Sequence, residues 1–124
     1  MENMYRAMII FWLTCLVGYP RTSAPEPKIE VDVLIQDADL VITGEGHSDR
    51  QTLMGKLPQR ILEHVTNQKI WLVSGGVSDR KAMLDAGFDR VVQVTPEEIP
   101  LDEAMKPEVA RNNIIKAIRE QFAL

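Results

Sequence analysis

The feature that most limits what this chain can become is a regular order of short apolar runs and helical segments. Asp39 to Ile42, Lys69 to Val73 and Arg90 to Val94 each read as a strand. They end in Thr43-Gly44-Glu45-Gly46, Ser74-Gly75-Gly76 and Thr95-Pro96, respectively. Helical segments alternate with them. Leu57, Ile61, Leu62 and Val65 share one face of a segment whose first turn suits Pro58. Asp79 is placed to cap a short helix that stops at Gly87, and a last helix opens at Pro107 with Ala110, Ile114, Ile118 and Phe122 at near-helical spacing. Parallel neighbours need crossover connections of this length. The order therefore predicts an α/β chain: a Rossmann-like parallel sheet with helices on both faces.

With 124 residues, the chain has room for one core. Its hydrophobic content of 45% and charged content of 26% are those of a globular protein, and a net charge of −4 gives no electrostatic reason to expect nucleic acid. The lone Cys15 excludes an internal disulfide framework and agrees with a reducing compartment, so a cytoplasmic location with no membrane partner is expected. Ala7 to Gly18 is apolar but shorter than a spanning helix, and its flanks make a poor signal peptide. It reads as a helix without a natural partner, or as sequence left by a disrupted reading frame. Residues 20–27, PRTSAPEP, hold three prolines and read as an extended linker, which predicts an ordered domain over 28–124.

Chemistry concentrates between residues 39 and 56. Open α/β sheets place ligands at the carboxyl ends of their strands. Gly44 and Gly46 are expected there as residues able to take positive φ and to let a phosphate approach bare amides. Glu45 and Asp49 supply two carboxylates for proton or metal handling, and Lys56 supplies a cation. Ser74-Gly75-Gly76 falls on the same sheet edge, so the two glycine-bearing ends converge on one crevice. Gly55-Lys56 is followed by leucine and therefore is not a Walker A motif.

The run Ala38-Asp39-Leu40-Val41-Ile42-Thr43-Gly44-Glu45-Gly46, followed by Asp49, Gln51-Thr52, Gly55-Lys56 and Pro58, closely resembles a segment of bacterial glycerate kinases. The resemblance continues through Val73-Ser74-Gly75-Gly76, Asp85-Ala86-Gly87-Phe88-Asp89 and Leu101-Asp102-Glu103-Ala104 to the closing helix. It implies the C-terminal portion of a longer kinase that phosphorylates D-glycerate to 2-phosphoglycerate with ATP and Mg²⁺. The missing N-terminal half of such a kinase is then a conceivable partner. On this reading Glu45 and Asp49 are the catalytic carboxylates, one of them also orienting the metal, with the two roles unassigned. Thr43, Gly44, Gly46, Gln51, Thr52, Lys56, Ser74, Gly75 and Gly76 are the expected substrate or phosphate contacts. His47 replaces the arginine usual after Gly-Glu-Gly and removes a fixed charge there. The second reading is a non-catalytic remnant, or a small module that binds a nucleotide or a partner.

Several eye-catching residues have simpler structural explanations. His64 lacks any partner at metal-site spacing, and Trp71, Met54 and Met83 are expected in the core. Glu97, Glu98, Asp102 and Glu103 read as solvated acidic surface, while helix capping competes with ligand binding for Ser48, Asp49 and Thr52. Lys56 divides evenly between a phosphate contact and a solvated surface lysine.

Overall fold

The computed structural model describes residues 7–11 by their backbone and residues 31–122 in full. In chain order the elements are β1 (Ala7–Phe11), α1 (Val31–Ile35), β2 (Leu40–Ser48), a 3₁₀ turn (Arg50–Leu53), α2 (Leu57–His64), β3 (Lys69–Val77), α3 (Arg80–Ala86), β4 (Arg90–Gln93), α4 (Leu101–Ala104) and α5 (Pro107–Gln121). All four strands join one parallel sheet in the order β1-β2-β3-β4. The expected α/β class is therefore what forms.

Two apolar clusters bracket the sheet. On one face Ile35, Ile61 and Met83 from α1, α2 and α3 pack with Val41, Ile70, Leu72 and Val91. On the other, Ala117 and Ile118 of α5 meet Leu40, Ile42, Trp71, Val73 and Val92. The strand residues alternate between the two clusters because successive side chains point to opposite faces. Trp71 is buried as expected, with the Phe122 ring centroid 5.2 Å away and the Arg90 guanidinium 4.7 Å above the indole. Asp79 accepts from the Ala82 amide as the cap of α3, and Gly87 closes that helix at φ +124°.

Three expectations need correction. Ala7 to Phe11 is not helical: it is an edge strand, with Ile9 opposite Ile42 and Phe11 opposite Gly44. A short apolar run is compatible with a strand or a helix, and here pairing with β2 decides. Strand β1 thus stands ahead of Lys28; the rest of the apolar stretch and the proline-rich linker lie outside the described residues. Met54 is 80% exposed on the 3₁₀ turn and takes no part in the core. In α5 Ile118 and Phe122 pack toward the sheet as their spacing suggests, but Ile114 is exposed and Ala117 is the buried position.

Candidate active site

The two central strands run further than their apolar residues suggest. Pairing continues through Glu45 opposite Ser74, His47 opposite Gly76 and Ser48 opposite Val77, so Thr43 to Ser48 is strand where a loop is expected. β1 pairing stops at Gly44, so among the described residues the last four of β2 have no strand neighbour on that side. On the other side the Thr95 amide donates to the Gly75 carbonyl (3.0 Å), and the Gln93 side chain accepts from the Val77 amide (3.2 Å). The glycines serve this close pairing, with no turn involved. A Cβ at Gly75 would lie 2.5 Å from the Gly46 carbonyl oxygen, whereas one at Gly46 would meet nothing within 4 Å. Positive φ, expected at Gly44 and Gly46, is found among the described glycines at Gly55 and Gly87 instead.

Glu45 stands half-buried at the end of this ribbon, at the centre of a hydroxyl network. Its Oε1 accepts from Ser48 Oγ at 3.1 Å and from Thr52 Oγ1. Ser48 in turn lies 2.5 Å from Ser74 Oγ, and all three hydroxyl residues are fully or almost fully buried. Asp49 starts the 3₁₀ turn: its carboxylate accepts from the Gln51 amide (2.8 Å), and its own amide donates to Thr52 Oγ1 (3.1 Å). This reciprocal box fixes the turn where the strand ends. Arg50 then reaches Asp79 at 2.6 Å and ties the turn to the cap of α3. The hydrogen bond from Arg50, helped by the Ala82 amide, holds the Asp79 carboxyl below its ordinary range.

The structure thus brings Glu45, Asp49, Thr52 and Ser74 together, with Gly46, Gly75 and Gly76 beside them. Gln51 is exposed on the turn. Lys56 is exposed at the start of α2, where a cation has the wrong sign for the helix dipole and gives the helix no capping bond. Thr43 lies apart, sealed in the sheet, and its hydroxyl has no hydrogen-bond partner among the described residues. His47 caps the other strand end, its Nε2 2.6 Å from Ser78 Oγ. Ser48 and Arg50 are the residues whose place sequence reasoning missed. Ser48 reads there as a ligand contact or a helix cap instead of a strand hydroxyl, and the Arg50–Asp79 pair spans 29 positions with no local signal.

Among the described residues no group of three or more His, Cys, Asp or Glu side chains gathers to hold a metal ion. Magnesium commonly takes only one or two protein carboxylates and completes its shell with phosphate and water, so the Glu45 and Asp49 donor set fits that mode. No helix among the described residues is long and apolar enough to cross a membrane.

A family model described as the glycerate kinase family matches residues 26–124. The chain belongs to this family. It is 33% identical over 81 residues to a glycerate kinase of Bacillus subtilis (strain 168), covering 63% of this chain and 21% of the relative. A glycerate kinase of Bacillus cereus is 38% identical over 86 residues, 67% of this chain and 22% of the relative. One from Halalkalibacterium halodurans is 34% identical over 76 residues, 59% of this chain and 20% of the relative. The aligned part of the chain thus spans about a fifth of the length of each family member it matches.

Proposed function

We propose that this chain forms the carboxylate wall of a site that phosphorylates D-glycerate with ATP, giving 2-phosphoglycerate. The observation that carries this reading is the placement of the Glu45 carboxylate at the carboxyl end of β2 in a buried hydroxyl network that also holds the amide of Asp49, in a member of the glycerate kinase family. Phosphoryl transfer asks for alignment and charge neutralisation more than for covalent chemistry by the protein. One of the two carboxylates accepts the proton of the glycerate hydroxyl; the other would help to hold magnesium. Bound there, the metal ion would neutralise phosphate charge. Gly46 leaves open space beside the ribbon for an anionic ligand to approach, and Lys56 offers a cation from the start of α2.

The relatives that carry the name glycerate kinase are far longer, and this chain provides one wall of a crevice. Misplacement of reacting groups by about an ångström costs on the order of 10²-fold in rate. A coupled assay of the 124-residue protein with ATP, magnesium and D-glycerate should accordingly give turnover at least about 10²-fold below that of a full-length relative. Its residual activity should disappear in the Glu45→Ala/Asp49→Ala double variant. Turnover that survives the double substitution would refute the assignment of these carboxylates.

A further inference from the structure

We infer that Thr52 is a positioning residue that ties the Glu45 carboxylate to the Asp49 main chain, without itself touching ligand. The inference rests on the functional reading above and deepens it. Thr52 has no exposed surface, so substrate has no path to its hydroxyl. The direction of its two hydrogen bonds is fixed by chemistry. The Asp49 amide only donates, so Thr52 Oγ1 accepts there at 3.1 Å and its single proton is left for Glu45 Oε1. Ser48 gives its own proton to the same Oε1 at 3.1 Å, which makes Ser74 the donor in the 2.5 Å contact between the two serines. Every proton in the chain therefore points toward one oxygen of Glu45. That oxygen is saturated by two hydroxyls, and among the described residues no hydrogen bond to Oε2 is made. The carboxylate is held by one oxygen and presents the other.

Thr52 also sets Asp49, whose amide it accepts and whose carboxylate caps the turn through Gln51. The strand that carries Glu45 and the turn that carries Asp49 are joined at this one hydroxyl. Its loss would leave the Glu45 oxygen to the Ser48 hydroxyl alone and release the Asp49 amide at the same time, while loss of its methyl would disturb only packing. Hydrogen bonds to an ionised acceptor are the stronger class, which suits a pin at this place.

The test compares Thr52→Val, which keeps the volume and removes the hydroxyl, with Thr52→Ser, which does the reverse, in the full 124-residue protein. Calorimetric titration with magnesium-ATP and with D-glycerate gives the dissociation constants, and thermal unfolding reports stability separately. Thr52→Val should weaken binding of at least one probe by about tenfold, and Thr52→Ser should restore it to within about threefold of the parent. Unchanged binding in Thr52→Val, or equal losses in both variants, would overturn the inference while leaving the functional reading intact if Glu45→Ala/Asp49→Ala still abolishes binding. A parent protein that binds neither probe defeats the functional reading, and the inference with it. Should Thr52→Val fail to fold, Glu45→Ala reads the same link from its other end. Hydrogen exchange at the Asp49 amide should then accelerate as Thr52 is released, and unchanged protection would overturn the link.

Discussion

At the residue scale, the two glycines that face each other across β2 and β3 have different jobs, and substitution separates them. A side chain at Gly75 must push against the Gly46 carbonyl, a backbone atom that cannot swing aside. Gly75→Ala should therefore cost about 1–3 kcal/mol of stability, measured by chemical denaturation. Gly46 faces open space, so Gly46→Val should stay within about 0.5 kcal/mol of the parent and yet weaken ligand binding by tenfold or more, because the valine would occupy the approach to the ribbon. Arg50 and Asp79 make a pH-dependent prediction. The depressed Asp79 value contributes stability that is fully present above the ordinary aspartate value of about 3.9 and is lost as pH falls through the lower folded value. Arg50→Ala should be less stable than the parent at neutral pH, and the gap should close in acid. A gap that persists below both values would mean that the pair acts through packing instead of charge.

At the element scale, the helices and strands anchored by apolar spacing were legible: Leu57 to His64 with Pro58 in its first turn, the Asp79-capped α3 with its Gly87 stop, and the starts of β2, β3 and β4. Their ends were less so. Glycine weakens a strand as an isolated residue, and Gly44, Gly46, Gly75 and Gly76 read as a loop until each strand supplies the other's partner. The carboxylates and the serine and threonine residues of the site were visible as chemistry, but their hydrogen-bond connections were not, since Ser48 and Ser74 are 26 positions apart. The face of α5 was legible at Ile118 and Phe122 but not at Ile114. Spacing favours Ile114, but the helix leaves it exposed and buries Ala117. Ala117→Leu should thus cost about 1–3 kcal/mol, whereas Ile114→Ser should stay within about 0.5 kcal/mol. The reverse ranking would restore the original reading of the helix.

At the scale of the whole molecule, the strand order rises without reversal, and this organises everything else. Each step from one strand to the next moves the same way across the sheet, which sets α1, α2 and α3 on one face and leaves the other to α5. No topological switch point forms among the described strands, so the candidate site sits on the prolonged ends of the central pair. The outer edge of β4 is guarded: Arg80 donates to the Val91 carbonyl, and Arg90 reaches the Gln121 carbonyl at 3.1 Å. Amide chemical-shift mapping with D-glycerate and magnesium-ATP tests most directly whether this ribbon is a ligand site. Perturbations should concentrate at Glu45 to Lys56 and Ser74 to Ser78, and they should vanish in the Glu45→Ala/Asp49→Ala variant. Perturbations centred on α4 and α5, or none at all, would contradict the account.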